Sequence, residues 1–386
     1  MLRLLLGALT CLVVLQAAAT PRLPTDDREV LERLSLTRDS PESAALRELR
    51  TRVAAAPSDP GSAAALARRY FGLAMAQGDP RFVGYAQAAL QRWGDMQAPP
   101  EILLVRAMLR QYRHDFEGAL GDLALARQLE PENAEVHAWR AAILMVRADY
   151  AEAAGECAAL ATGGDDLLAV GCSAYVAATT GRTRAAYDKL SAALEDRPDA
   201  GPGETLWVHT RLAEMADRLG DAAAAERHFR AALALGMDDN FLLAAYADFL
   251  LQQRRSRDVV ALLKDRGRSD TLLLRLALAT RDLGLPEAER HARTLGERFA
   301  AAALRGERLH LAEEARYLLE LQGNAEAALA AAAENWKSQR EPRDALVLLQ
   351  AARAARKPAA AAPALEWLAR TGFEHEGMRR LADELR

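Results

Sequence analysis

Apolar and polar positions follow one repeated helical pattern between residues 114 and 160. Two copies of an amphipathic segment lie there in register, and each position recurs 34 residues later. The aligned pairs are Asp115 and Asp149, Phe116 and Tyr150, Ala119 and Ala153, Leu123 and Cys157, and Ala126 and Leu160. A period near this value, with a small residue four positions before a larger apolar one and Pro131 closing the first copy, indicates stacked helix-turn-helix units.

The same pattern extends in both directions along the chain. It begins after the proline- and glycine-containing breaker at 57–61, and its period returns further on, because Val259 follows Ala225 by 34 residues. Beyond Gly267 the helices become less regular. Aromatic residues make up only 5% of the 386 residues while alanine is abundant, which favours helix pairs whose axes approach closely over small side chains. We therefore predict an all-α fold.

These residues resemble the tetratricopeptide repeat (TPR) family. Its second-helix pattern, A-x-x-x-F followed by a proline, is similar to Ala119, Leu123 and Pro131. The resemblance covers residues 60–370 and is strongest over 100–265. It implies an α-solenoid, a right-handed superhelix of about nine TPR-like helix-turn-helix repeats with capping helices at its ends. Such a fold is an interaction scaffold, and its partner is decided by surface detail.

The chain divides into five predicted segments. They are a signal peptide at 1–19, a leader with N-terminal capping helices at 20–60, a regular TPR array at 61–265, a degenerate TPR-like array at 266–372 and a C-terminal capping helix at 373–386. The first segment has Arg3 in its n-region, an apolar core, and small residues before a cleavage site near Ala19. We expect a periplasmic or secreted protein, with an uncleaved segment anchored in the inner membrane as the alternative.

Charge and cysteine content refine this picture. Cleavage of the signal peptide removes Arg3 and takes the formal charge from −4 to −5, a mild acidity that gives no reason to expect a nucleic-acid partner. Membrane contact would then be limited to the signal segment, if it is left uncleaved. Cleavage also leaves two cysteines, Cys157 and Cys172. In an oxidising compartment they can form a disulfide, and the alternative is a pair of small buried apolar residues.

Catalytic motifs are absent from the sequence, so we expect no enzyme activity and no cofactor. There is no H-E-x-x-H, G-x-S-x-G, Walker or C-x-x-C motif. The nearest approach to a metal pair is His310 with Glu314, one helical turn apart. A single pair at this spacing is far more often a solvated contact on a helix face than a metal site.

The family resemblance also implies a binding surface, because the first helices of successive repeats line a concave groove that holds a peptide. Carried over by register, the candidate partner-binding residues are Glu135, Trp139, Met145, Tyr175, Trp207, Arg211, Glu214, Arg218, Phe241, Asp248 and Gln252. Aromatic and arginine side chains often dominate binding energy. The alternative for Trp139, Trp207 and Phe241 is packing between repeats. Two further stretches, 306–316 and 335–342, are less generic in sequence than the repeat requires. They are the next candidates for a partner site.

Together these features predict an exported scaffold that binds a protein or peptide in its concave groove, as an accessory factor of envelope assembly or secretion. Two alternatives remain at this stage. One is an exported metal-binding protein or enzyme that uses His310 and Glu314. The other is a purely structural, self-associating spacer.

Overall fold

Amphipathic helices joined by short turns make up the described part of this computed structural model, which covers residues 26, 40–94, 98–162, 167–307 and 309–386. These residues form twenty α-helices and no strand. Nine antiparallel hairpins run from α2–α3 to α18–α19, and the two helices of each hairpin pack against each other. The architecture is the all-α array of TPR-like helix hairpins that the sequence predicts, so the expected fold class is confirmed.

The helix bounds follow the predicted pattern closely. The first half comprises α1 Pro41–Ala55, α2 Pro60–Gln77, α3 Arg81–Leu90, α4 Pro100–Tyr112, α5 Phe116–Leu129, α6 Ala134–Val146, α7 Tyr150–Thr162, α8 Leu167–Thr179, α9 Thr183–Glu195 and α10 Pro202–Arg218. The second half comprises α11 Ala222–Ala234, α12 Asn240–Gln252, α13 Ser256–Leu263, α14 Asp270–Asp282, α15 Ala288–Leu304, α16 Leu311–Arg316, α17 Ala325–Trp336, α18 Pro342–Ala354, α19 Ala362–Thr371 and α20 Glu376–Glu384.

The chain forms two compact units, residues 1–48 and 49–386, and all nine hairpins belong to the second. The predicted signal peptide at 1–19, with its cleavage site near Ala19, lies outside the described residues, as does most of the leader. Among the described residues, no helix has both the length and the apolar character needed to span a membrane.

Two local features define the hairpin turns. The last residue before the cap of the second helix adopts a left-handed conformation, with φ of 60° at His114, 62° at Ala148 and 78° at Gly220. The next residue then caps the second helix: the Asp115 side chain accepts from the Gly118 N–H at 3.0 Å. This cap satisfies one of the backbone donors that a helix N-terminus leaves without an intrahelical partner.

Small residues at the predicted crossing positions let the two helices of each hairpin approach closely. Ala119, Ala153 and Ala225 are all 0% exposed, as is Val259 at the next recurrence of the period. The larger apolar residues four positions later are equally buried, with Leu123 at 0% exposure. The 34-residue period therefore places equivalent residues in equivalent surroundings.

An ion pair inside the hairpins repeats with the same period, although the sequence analysis did not identify it. Arg106 pairs with the buried Asp122 at 2.6 Å, and 34 residues later Arg140 pairs with the buried Glu156 at 2.6 Å. Both carboxylates are 7% exposed or less. A buried carboxylate requires such a partner. The ion pair therefore recurs with the same period as the apolar contacts.

A disulfide joins Cys157 on α7 to Cys172 on α8, with the two Cα atoms 5.4 Å apart. It therefore ties the second helix of the third hairpin to the first helix of the fourth. A cross-link over a loop of this size stabilises a fold by about 3 kcal/mol in the chain-entropy model.

The array curls so strongly that the turns of the early hairpins contact the late ones. Asn240 donates to the Met75 carbonyl at 3.0 Å, beside the turn at Gly78, and Gln339 contacts the His114 ring at 3.3 Å. Burial lowers the pKa of His114 to about 4, so its neutral ring can accept this bond. At the third turn the Arg340 N–H donates to the Val146 carbonyl at 2.7 Å.

The fourth turn meets the C-terminal end of the array. Thr183, the first residue of α9, donates its backbone N–H to the Glu374 carboxylate at 2.7 Å. A Cβ added at Gly181 would lie 2.9 Å from the Gly372 carbonyl oxygen, so this position requires glycine for close approach as well as for its φ of 80°. Residues 49–386 therefore close on themselves through four successive turns.

The less regular part of the chain deviates from ideal helices where the sequence predicts degenerate repeats. A π-helix at Tyr317–Leu321 continues α16, and a short 3-10 turn at Pro358–Ala361 precedes α19. Helix α15, with 17 residues, is longer than the second helices of the preceding hairpins. The C-terminal helix α20 buries Met378 and Leu381 on one face.

We predict that Arg254→Gly stabilises the protein. Arg254 is exposed and has a φ of 58°, a conformation that disfavours a residue with a Cβ. Glycine should raise the free energy of unfolding by up to about 1 kcal/mol, measured by urea denaturation. Gln253→Gly is the matched control at φ −78°, and it should give no gain. An unchanged or lower stability for Arg254→Gly would contradict this interpretation of the turn.

Candidate binding cavity

The first helices of hairpins four to nine surround a cavity of about 470 Å³. Helices α8, α10, α12, α14, α16 and α18 contribute to its wall, and the segment 373–378 returns to complete it. Because the late hairpins contact the early turns, the groove expected from the family resemblance is narrowed here to a cavity. Its size lies within the range that holds small organic molecules or a few residues of peptide.

Most of the predicted partner-binding residues line this cavity. They are Tyr175, Arg211, Glu214, Arg218, Phe241, Asp248 and Gln252. They come from α8, α10 and α12, the first helices of three consecutive hairpins. The structure thus brings together side chains that lie up to about eighty residues apart in the sequence.

The other four predicted residues lie away from the cavity wall and take part in packing. Met145 is 6% exposed and belongs to the core between α6, α7 and α8. Trp139 packs edge-on against Phe71 with ring centroids 6.0 Å apart, and Glu135 pairs with Arg68 on α2. Trp139 and Glu135 therefore join the third hairpin to the first, and Met145 packs between the third hairpin and the fourth.

Trp207 fills a space left by a glycine on the preceding hairpin. A Cβ added to Gly171 would lie 2.4 Å from the Trp207 ring, so the indole rests directly on the α8 backbone. Trp207 and Arg211 are one helical turn apart on α10, yet only Arg211 lines the cavity. Trp207 therefore packs between two repeats, which was the alternative to partner binding for this residue.

A column of alternating rings and guanidinium groups crosses one end of the cavity. The Arg211 guanidinium lies 4.4 Å from the Tyr175 ring centroid and 4.4 Å from that of Phe241. Arg343 lies 5.9 Å from the same Phe241 centroid. In each contact a cation lies against the face of an aromatic ring, which is an attractive arrangement. Together the contacts join α18 to α12, α10 and α8. Burial raises the pKa of Tyr175 to about 12, so its hydroxyl stays neutral.

An ionic network forms another part of the wall. Asp248 accepts from Arg275 at 2.6 Å and from Arg316 at 2.9 Å, which joins α12 to α14 and α16. Arg316 also pairs with Glu320 at 2.9 Å. Burial alone would raise the pKa of Asp248, but the two arginines outweigh it and lower this pKa to about 2. The carboxylate is therefore ionised throughout the physiological range.

Several cavity residues were missed by the sequence analysis. They are Arg275, Arg281, Glu313, Arg316, Glu341, Arg343, Phe373 and His375. The two stretches singled out as less generic contain some of them, since Glu313 and Arg316 lie in 306–316 and Glu341 lies in 335–342. The density of charge in 306–316 was thus a usable signal, whereas nothing in the sequence placed 373–375 near α8 and α10.

The alternative metal pair receives no support from neighbouring ligands. His310 precedes α16 as its N-cap residue, and its carbonyl accepts the Glu314 backbone N–H at 2.8 Å. Within the described ranges, no group of three or more histidine, cysteine, aspartate or glutamate side chains is arranged to hold a metal ion.

Comparison with solved structures finds other helical repeat proteins. The APC/C hetero-tetramer Cut9–Hcn1 has 13% sequence identity and a TM-score of 0.41, over 84% of this chain and 83% of that chain. A monomeric IFIT1 mutant with Gppp-AAAA has 14% identity and a TM-score of 0.44, over 89% and 86%. Yeast Tom70 has 13% identity and a TM-score of 0.32, over 89% and 92%.

Neither a scan of protein-family models nor a search of curated proteins gives a match. The identities and TM-scores above are too low for the partners of those proteins to be transferred to this chain. The chain's own residues must therefore support any functional conclusion.

We predict that Gly171→Ala destabilises the protein, because its new methyl group overlaps the Trp207 ring. The expected loss is about 1–3 kcal/mol in the free energy of unfolding, despite the better helix propensity of alanine. Gly121→Ala on α5 is the matched control, since its added methyl group meets no atom within 4 Å. That control should gain roughly 0.5–1 kcal/mol. Equal effects of the two substitutions would show that Trp207 does not pack on Gly171.

We also predict that Asp248 contributes pH-dependent stability. Its pKa is about 2 in the folded protein and near 3.8 when unpaired, so its contribution of about 2 kcal/mol is present above pH 4 and is lost as the pH falls toward 2. Asp248→Asn should therefore be clearly less stable than the wild type at pH 7, and the difference should shrink between pH 5 and 2.5 in denaturation experiments. The substitution Asp258→Asn, at an exposed residue, serves as the control. A stability difference between Asp248→Asn and the wild type that does not change with pH would refute the assignment.

Proposed function

We propose that this chain is an exported, non-enzymatic repeat scaffold that binds a protein or peptide partner by a short segment held in the inner cavity. The observation that supports it best is the convergence of Tyr175, Arg211 and Phe241, which the family resemblance implied, with Arg343 and the Asp248 network around one space. Aromatic and arginine side chains in a recessed site are the usual anchors of protein recognition.

The size and charge of the cavity favour a short segment over an extended groove ligand. A volume of 470 Å³ holds a few residues, and charges of both signs line it. Polar groups in such a site set the orientation of the ligand, while the half-buried apolar lining from Phe241, Ala245 and Leu346 supplies contact area. A partner would thus present a terminal or looped segment to the cavity.

Export is the second part of the proposal. The signal-like sequence at 1–19 favours it, and so does the disulfide between Cys157 and Cys172, because such bonds persist mainly in oxidising compartments. An accessory role in envelope assembly or secretion is the function we infer for a periplasmic or secreted scaffold of this kind. Fractionation of the expressing cells, with a thiol-labelling assay on intact protein, tests this part separately.

The binding part is tested by filling the cavity. We expect a library of short displayed peptides to yield sequences that bind the mature protein, and Gln350→Trp to weaken that binding at least about tenfold because its side chain enters the cavity. Gln253→Trp is the matched control, since Gln253 is exposed and outside the lining. Peptides that bind both variants equally would place the site elsewhere, and a library without binders would refute peptide recognition.

A further inference from the structure

Nearly all ionic groups in the cavity wall already have ionic partners. The pairs are Arg211 with Glu214, Arg275 with Asp248 and Glu313, Arg281 with Asp282, Arg316 with Asp248 and Glu320, and Arg343 with Glu341. Two lining residues stand outside this set, Arg218 and Asp217. They are consecutive on α10, one positive and one negative, and within the described part of the chain they form no salt bridge.

Arg218 is held in place but incompletely hydrogen-bonded. One terminal nitrogen, Nη1, donates to the Ala178 carbonyl at 3.2 Å, and the guanidinium lies 4.8 Å from the Phe373 ring centroid. Its Nε is buried without a hydrogen-bond partner, and so is the Nε of Arg211, a residue that is only 9% exposed. A buried donor without an acceptor is unfavourable, so an anion placed beside this guanidinium would be stabilised.

Asp217 offers the complementary charge. Its carboxylate lines the same cavity and has no hydrogen-bond donor among the described residues. Burial raises the pKa of this carboxyl, the nearby Arg218 charge lowers it, and Glu214 adds to the increase. A positive group beside Asp217 would therefore relieve an unfavourable environment.

We propose that this end of the cavity binds the α-ammonium and α-carboxylate groups of a small zwitterion, an α-amino acid with an apolar side chain. The carboxylate pairs with Arg218 and the ammonium pairs with Asp217. A simple anion would leave Asp217 unpaired and a simple cation would leave Arg218 unpaired, whereas a zwitterion satisfies both.

The spacing of the two residues favours a single amino acid over a longer peptide. Asp217 and Arg218 are adjacent on α10, and the Arg218 charge is close enough to lower the pKa of the Asp217 carboxyl, whereas each residue of an extended peptide adds about 3.3–3.6 Å between its terminal charges. The two charges of an α-amino acid are carried on one carbon atom. Phe241, Ala245 and Leu346 are half-buried in the cavity lining and provide apolar surroundings for its side chain.

This inference rests on the proposed function only in taking the cavity as the ligand site. An amino acid bound there would share the space with a partner segment and would compete with it. The amino acid would then act as a small-molecule regulator of partner binding.

Calorimetry on the mature protein tests the proposal with matched ligands. We expect L-phenylalanine or L-leucine to bind, and N-acetyl-L-phenylalanine and L-phenylalaninamide, each lacking one charge, to bind at least about tenfold more weakly. The dipeptide Phe-Phe, whose charges lie further apart, should also bind more weakly. Failure of every free amino acid to bind, or binding of the acetylated or the amidated form as tight as that of the free amino acid, would overturn the proposal.

Variants of the protein test the same pairing from the other side. Arg218→Gln and Asp217→Asn should each weaken amino-acid binding about tenfold or more, while the exposed Arg254→Gln and Asp258→Asn should leave it unchanged. The ligand comparison needs only the wild type, so it decides the matter even if a variant fails to fold. If library peptides bind and amino acids do not, this inference fails and the proposed function stands; if neither binds, both fail.

Discussion

Contact between the turns of the early hairpins and the last part of the chain is the constraint on which the cavity depends. In an open solenoid each hairpin touches only its neighbours, and the inner face stays accessible along its length. Here the turns at Gly78, His114, Ala148 and Gly181 lie against later hairpins or the C-terminal segment, through bonds such as that of Arg340 to Val146. The inner helices consequently line a recessed space of their own.

Closure also explains why so much charge can face inward. Charged groups removed from water need partners with good geometry, and a closed inner face brings such partners from several helices. Asp248 meets arginines from two later hairpins, and Arg211 gains a ring on each side from α8 and α12. The same arrangement distinguishes Arg218 and Asp217, because the other ionic groups named in the wall are paired with each other.

The sequence predicted the hairpins and the inner face well for a physical reason. The 34-residue period repeats both the crossing residue, as at Ala119 and Ala153, and the direction in which each first helix faces. Register therefore identified Arg211 and Phe241 without knowledge of their contacts. It could not separate Trp207 from Arg211, because the glycine that receives the indole lies on another hairpin.

Closure itself could not be read from the repeats. It results from the sum of small rotations between hairpins, so the meeting of Glu374 with Thr183 across 191 residues leaves no local trace in the sequence. The left-handed turn residues were equally hidden, because His114, Ala148 and Arg254 are not the glycines that usually mark such positions.

Amide hydrogen exchange at Thr183 measures closure most directly. This amide begins α9, where a helix provides no acceptor of its own, and the structure gives it one partner, the Glu374 carboxylate. We predict slow exchange for Thr183 in the wild type and fast exchange in Glu374→Ala, with the amides in the middle of α9 unchanged in both. Fast exchange of Thr183 in the wild type would show that the C-terminal segment does not return to the fourth hairpin, and the closed cavity would then be wrong.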